Sequence, residues 1–463
     1  MKKSRISHKL EEVAKRELGI ELDKSHQKGG WSGDLTPGML SYAARDSKVL
    51  LPLLKRLLSR AEQNDLGRVL QIEHRALPAL VWMSSSGVPF DAEGWKRRLK
   101  EIEEEKATLL ERLNEVAPEH PDGGGGWNWN STKQVREAFL RVGIELEDTK
   151  EETLSRYDHP LAKELLAYRR LSKLTTTYGG KLLEKVEEDG RIYPSWLQIG
   201  ARTGRMSCSS PNLQQLPPEA RRYVKAPEGK LLIKADYSQI ELRIAARISG
   251  DRRMIRAFSE GEDIHRTTAR SLSQKEDVTG EERKLAKALN FGLLYGMSPS
   301  GLMRYARSSY GVKMTEEEAS HHRESFFATY PDLKSWHERE RRKHKQGDTE
   351  TRTLIGRRAY GIERFTKRLN FPVQGTGADG LKLALALLWE RRDECPPGAT
   401  PILAVHDEIV VECYEADAGK VGRWLRAAMI EAMDEVINGD LSEGDPLRVP
   451  VEVEVEVGRA WST

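Results

Sequence analysis

Residues 230–250 read KLLIKADYSQIELRIAARISG. The apolar run LLIKA has strand texture and ends on Asp236, and a helix-forming stretch follows at once. A strand that hands over to a helix through an acidic turn sets a carboxylate at the end of a sheet, well placed to hold a metal. Ser238 and Glu241 have the S-x-x-E spacing of a capping box, which marks the helix start. Taken alone, Asp236 reads better as a solvated turn residue.

Two further stretches change that balance. Residues 399–417, ATPILAVHDEIVVECYEAD, are two apolar runs flanking His406, Asp407 and Glu408, a hairpin with acids at its tip. Two carboxylate-bearing strand ends can share two Mg²⁺ ions, the arrangement of phosphoryl-transfer sites. Residues 278–296, VTGEERKLAKALNFGLLYG, carry a second capping box at Thr279 and Glu282 and a stop at Gly296. Arg283, Lys287, Phe291 and Tyr295 recur every four residues there, laying two cations and two aromatics along one drifting helix face. Cations suit phosphates and rings suit sugars and bases. For an isolated helix, core aromatics and a solvated cationic edge are the simpler reading.

Around these segments the chain has 463 residues, 38% hydrophobic and 32% charged, enough for large cores and too apolar for a disordered chain. Its 75 basic and 72 acidic residues leave +3, which excludes a histone-like binder but not local basic patches. Three cysteines, Cys208, Cys395 and Cys413, without a CxxC, argue against a disulfide scaffold and against zinc. No apolar run reaches the roughly 18 residues of a membrane span, and MKKSRISHKLEEVAKRELG lacks the apolar stretch of a signal peptide. Helical texture covers 9–20, 39–63, 91–115, 161–174, most of 238–345 and 379–393, with a flexible break at 118–126. Strand texture appears after Gly190, around 230–236, and in PILAV, IVVECY and VPVEVEVEVG, the last with Val449, Val451, Val453, Val455 and Val457 on one face. This order predicts an α+β fold, a strand platform with helical insertions.

DYSQIELR (236–243), RKLAKALNFGLLYG (283–296) and VHDE (405–408), with RTGRMSCSSPNLQQLP (202–217) and FPVQGTGAD (371–379), resemble in wording and order the polymerase domain of family A, DNA polymerase I-like enzymes. The resemblance runs from about Gln71 to the end. It implies a right hand: an antiparallel palm sheet with helical thumb and fingers, parcelled as palm start 64–90, thumb 91–190, palm 191–241, fingers 242–394 and palm 395–463. It implies template-directed addition of dNMP from dNTP to a primer 3′-hydroxyl, with two Mg²⁺ ions as cofactors and Mn²⁺ as the substitute.

By the same resemblance, Asp236, Asp407 and the Tyr237 carbonyl hold the ions, and Glu408 supports them. Gln239, His265, Arg283 and Lys287 meet the nucleotide, and Lys287 can protonate the leaving pyrophosphate. Glu241 is a steric gate closed against Tyr295, Phe291 packs on the incoming sugar and base, and Tyr295 stacks on the template base. Arg205, Asn212, Gln214, Asn370, Gln374 and His406 match positions that touch primer, template or the minor groove of the nascent pair. Asn128, Asn130 and Ser131 match the thumb's NxNS turn, and Lys173 and Thr176 lie in YRRLSKLTTTYGGK (168–181), four bases without an acid. The partners implied are primer-template DNA and dNTPs.

The chain departs from the family pattern in places. The stretch between Arg357-Arg358 and Gln374 is short, Thr366 stands where the family has an arginine, and GARTGR is closer to phage and organellar members. The sparse, odd set of cysteines points to a reducing compartment and a cytoplasmic enzyme, in a host cytoplasm for a phage-type member. Residues 1–63 resemble the end of a DEDD-type 3′–5′ exonuclease, with Tyr42 and Asp46 fitting its Y-x-x-x-D motif. The D-x-E motif is expected to precede Met1, leaving a split partner polypeptide, a shortened chain or a remnant as readings, and no intrinsic proofreading. Two other functions fit less well. A single-subunit RNA polymerase has no use for a gate at Glu241, and a non-catalytic DNA scaffold has no need of intact Asp236 and Asp407.

Overall fold

The computed structural model describes residues 7–27, 31, 33–122 and 126–461, so part of the glycine-rich break, 123–125, lies outside the described residues. The chain divides into two compact units, 1–71 and 72–463.

The first unit is built on helices Leu10–Leu18 and Pro37–Gln63. Thr36 caps the second helix by accepting from the Met39 amide at 3.2 Å, with proline at the first helical position, where a missing N–H costs nothing.

The second unit is organised by a four-stranded antiparallel sheet in the order Val453–Gly458, Lys230–Tyr237, Glu408–Tyr414, Thr400–Val405. Register decides what this sheet presents: Asp236 lies opposite Glu408 on one side and Glu454 on the other, with Asp407 in the adjoining turn. Helix Ala418–Asn438 packs on the sheet, with Gly422 against Val455 and Ile233, and helix Phe365–Glu390 packs on that helix. A core containing Leu232, Val410, Ile402, Phe90, Trp95 and Tyr178 joins the sheet to helices Ala92–Glu115 and Pro160–Thr177. Those two helices carry a separate core around Trp127, Trp129, Phe139 and Leu165.

Three expectations are corrected. The helix read at 379–393 begins at Phe365 and runs through Pro372, Gly375, Gly377 and Gly380. Burial along nearly its whole length overrides weak local propensity. Its glycines are contact points: a Cβ on Gly380 would lie 2.4 Å from Met433, and one on Gly375 2.5 Å from Thr353. The valine run pairs only over Val453–Gly458, because the central strand ends at Tyr237, opposite Val453, and Val457 is exposed. Ser238 does not cap its helix: its hydroxyl bonds Glu454 at 2.5 Å, and the helix starts at Ile240 after Gln239 in a left-handed conformation, φ 54°. The box at Thr279 and Glu282 forms as read, and Gly296, φ 70°, follows the helix end at Tyr295.

Candidate active site

Asp236 closes the central strand and Asp407 sits in the neighbouring hairpin turn, whose carbonyl accepts from the Tyr237 amide at 3.3 Å. His406 makes that turn by adopting φ 56°, leaving its ring exposed. Burial pushes the carboxyls of Asp236 and Asp407 up from the usual range; the Asp407 charge adds to the first and the Glu241 charge to the second. Two half-buried acids held at the cost of mutual repulsion suit a cation between them. Among the described residues no three His, Cys, Asp or Glu side chains converge on one metal position. Two carboxylates and a carbonyl nevertheless fit Mg²⁺, which keeps waters and substrate phosphates in its shell.

Glu408 is also raised, to about 7, chiefly by burial, while Trp461 pulls it back by donating its indole N–H to Oε1 at 2.7 Å. Trp461 is buried, stacks under the Arg221 guanidinium at 4.6 Å, and is tied by its amide to Val224 O at 2.9 Å. The Tyr237 hydroxyl points away from the acids and donates to Met429 O at 2.7 Å.

Glu241, freed from capping, becomes a junction. It accepts from Arg205 Nη2 at 2.9 Å, from Gln374 Nε2 at 3.4 Å and from the Tyr295 hydroxyl. Tyr295 ends helix Gly280–Leu294, whose core face is Leu289, Leu293 and Leu294. Phe291 and Tyr295 lie half-buried off that core and Lys287 is exposed, so the four-residue repeat lies beside the helix's core face. Arg283 leans on Asp263, Nε to Oδ2 2.6 Å. His265 is buried, paired through Nδ1 with the Asn290 amide at 2.8 Å, and desolvation depresses its pKa to about 4. It is neutral at pH 7 and brings no charge to a phosphate. The Gln239 Oε1, three residues after Asp236 in the chain, is buried without a hydrogen-bond partner.

The loop after Gly200 is anchored from below. Gly204, φ 83°, lies against the Arg357 guanidinium so closely that a Cβ would come within 2.7 Å of Nε. Arg357 is buried between Glu73 at 2.5 Å and Asp379 at 2.6 Å, and Lys382 joins Glu73 at 2.6 Å. Gln214 bonds Ala404 O at 2.9 Å, Asn212 accepts from the Cys208 thiol at 3.7 Å, and Asn370 and Gln374 lie half-buried on the long helix. Further out, Ser131 caps helix Thr132–Arg141, with Asn128 and Asn130 exposed at that turn. Lys173 and Thr176 are exposed on helix Pro160–Thr177.

Comparisons with known proteins place the chain in a family. The family model described as DNA polymerase family A matches residues 96–463. This chain belongs to DNA polymerase family A. It is a DNA-directed DNA polymerase with the right-hand fold of that family. The model described as 3′-5′ exonuclease matches residues 1–62. The chain is 34% identical to DNA polymerase I of Aquifex aeolicus, over 98% of this chain and 81% of that one. It is likewise 34% identical to the thermostable DNA polymerase I of Thermus aquaticus, but spans only 52% of that enzyme's length. Among solved structures it resembles the POL domain of Pol1 from M. smegmatis in complex with DNA primer-template and dNTP, with TM-score 0.82, 27% identity, and coverage of 99% of this chain and 79% of that one. Members of the family depend on divalent metal. No helix among the described residues is long and apolar enough to cross a membrane.

In the first unit, Tyr42 and Asp46 are brought together, one helical turn apart, but on a cation: Lys24 Nζ reaches both Asp46 oxygens at 2.7 and 3.0 Å and the Tyr42 hydroxyl at 3.4 Å. Sequence reading missed Lys24, Trp461, Arg221, Asp263 and Asn290. Each acts through a partner distant in the chain, so no local pattern marks it.

Proposed function

We propose that the polymerase reaction runs at the Asp236–Asp407 pair, with Mg²⁺ as the ion and Mn²⁺ as its substitute. What carries this reading is the sheet register that sets Asp236 opposite Glu408 with Asp407 in the adjoining turn. Asp236, Asp407 and the Tyr237 carbonyl would hold the metal. Bound there, it supplies Lewis-acid chemistry to the primer 3′-hydroxyl and the triphosphate.

The protein's own groups do the rest. Arg283 exchanges Asp263 for the triphosphate, and exposed Lys287 adds a second charge and a proton for the leaving pyrophosphate. Gln239 offers its side-chain N–H₂ as a donor, and His265 a neutral ring beside Phe291, at 5.7 Å between centroids. Phe291 takes the sugar and base. The Tyr295–Glu241 bond blocks the space of a ribose 2′-hydroxyl, and Arg205 and Gln374 hold Glu241 in place. Arg205, Asn212, Gln214, Asn370, Gln374 and His406 face the nascent pair, while Asn128, Asn130, Ser131, Lys173 and Thr176 follow the duplex backbone. In this reading the thumb is 91–190, the palm 64–90, 191–241 and 395–463, and the fingers 242–394.

Primer extension with dNTPs and with rNTPs tests the reading. Full-length product with dNTPs, and at most a few additions with rNTPs, is expected. Equal use of both would favour an RNA polymerase, and no extension a non-catalytic scaffold.

A further inference from the structure

Four charged side chains lie together beneath the loop that delivers Arg205. Glu73, Arg357, Asp379 and Lys382 are each more than nine-tenths buried. They come from three places: the start of the second unit, the tight turn closed between Thr353 and Arg357, and helix Phe365–Glu390. Two acids face two bases, so the group is neutral. Arg357 is its centre. Its Nε donates to Asp379 Oδ1 at 2.7 Å and its Nη2 to Glu73 Oε1 at 2.5 Å, and Lys382 Nζ reaches the same Glu73 oxygen at 2.6 Å. Thr353 closes the ring by donating to Asp379 Oδ2 at 3.0 Å and accepting from the Arg357 amide at 3.1 Å.

Burying four charges costs desolvation that apolar side chains of like volume avoid. What the charges add is a fixed geometry, and two neighbours of the network depend on it. The first is Gly204, φ 83°, which rests on the guanidinium: a Cβ there would lie 2.7 Å from Nε and 2.9 Å from Cζ. Arg205 is the next residue. The loop folds back on it, with the Gly200 and Ala201 amides donating to Arg205 O at 3.0 and 3.1 Å, so a shift at Gly204 passes directly to Arg205. Gln198, just ahead of the loop, donates to Glu73 O at 2.6 Å and to the Glu73 carboxylate. The second neighbour is Gln374, five residues before Asp379 on the same helix. Arg205 and Gln374 are two of the three groups that hold Glu241. Both therefore stand on Arg357.

We propose that Arg357, which lies outside the groups proposed to meet nucleotide or metal, is a positioning residue for sugar selection. Its guanidinium sets Gly204 and the long helix in one frame, so that Arg205 and Gln374 meet Glu241 together and keep its carboxylate against Tyr295. The proposal rests on the gate reading of Glu241 above and adds to it what fixes the gate.

The test measures kcat/KM for rNTP and for dNTP in the full chain, with a melting temperature for each variant. Gly204→Ala pushes the loop off the guanidinium and leaves all four charges in place. Arg357→Lys keeps the charge and removes the fork. Each should raise the rNTP/dNTP ratio by about three- to tenfold, less than the loss of the gate itself. The double variant E73Q/K382M removes one acid and one base and lowers the melting temperature too, but it keeps Arg357 between Gly204 and Asp379. Its ratio should be that of the wild type. Glu241→Ala, run alongside, separates the two readings. A raised ratio in Glu241→Ala with wild-type ratios in both Gly204→Ala and Arg357→Lys overturns the positioning role and leaves the gate standing. No change in Glu241→Ala removes the gate, and this proposal with it. Ratios that track melting temperature across every variant, E73Q/K382M included, make the network a stabilising one only and overturn the proposal.

Discussion

Trp461 and Glu408, 53 residues apart, are joined by one hydrogen bond, indole Nε1 to carboxylate Oε1 at 2.7 Å. The bond ties a buried residue of the last described segment to the acid opposite Asp236. Trp461→Phe keeps a ring under Arg221 and removes the donor. Leaving a buried carboxyl without this partner should cost about 1–3 kcal/mol of stability. It should also lower kcat several-fold with little change in the KM for dNTP, since Glu408 lies opposite Asp236, one of the acids proposed to hold the metal, and outside the groups proposed to hold the nucleotide. Steady-state kinetics with a melting curve checks both.

Glu241 is engaged by Arg205, Gln374 and Tyr295 and by no helix cap. Glu241→Ala should therefore raise the rNTP/dNTP ratio of kcat/KM by roughly tenfold or more, the scale of about 1–3 kcal/mol for a steric contact in a pocket. Unchanged selectivity would remove the gate from the account.

His337 is buried, with Nε2–H on Leu294 O at 3.1 Å, at the end of helix Gly280–Leu294, and desolvation depresses its pKa to about 3. A histidine buried neutral stabilises the fold fully above its unfolded pKa, and that contribution falls as pH drops below it. Between about pH 6.5 and the folded value the loss approaches about 1.4 kcal/mol per pH unit. The melting temperature should fall between pH 7 and pH 5, and less steeply in His337→Gln. Parallel pH profiles would contradict this.

Lys24 holds both oxygens of Asp46. A carboxylate so paired is a poor metal ligand, and no other described residue completes a metal cluster. This polypeptide should release no mononucleotides from a 3′-labelled single strand in Mg²⁺ without dNTPs. Release that persists in Asp236→Ala and vanishes in Asp46→Ala would show an active nuclease.

Much of this was legible before folding, for local reasons. Asp236 and Asp407 stand where apolar strand texture stops, and the helix bearing Arg283, Lys287, Phe291 and Tyr295 announces both its cap and its stop. Long-range partners were not legible. Ser238 and Glu241 match a capping pattern, yet Glu454 and Arg205, brought in by tertiary structure, take their side chains. The helix from Phe365 hides behind Pro372 and three glycines, since burial and not propensity holds it. The burial of His265 against Asn290, which holds its ring neutral, also has no local mark in the sequence.

The central claim is that Asp236 and Asp407 carry the chemistry while DNA is held elsewhere. The direct measurement is single-nucleotide addition and primer-template affinity, side by side, for the wild type, Asp236→Ala and Asp407→Ala. The account predicts a rate loss of several orders of magnitude in each variant, the scale of several kcal/mol of metal-stabilised charge, with affinity nearly unchanged. Either variant extending primers at close to the wild-type rate would contradict it.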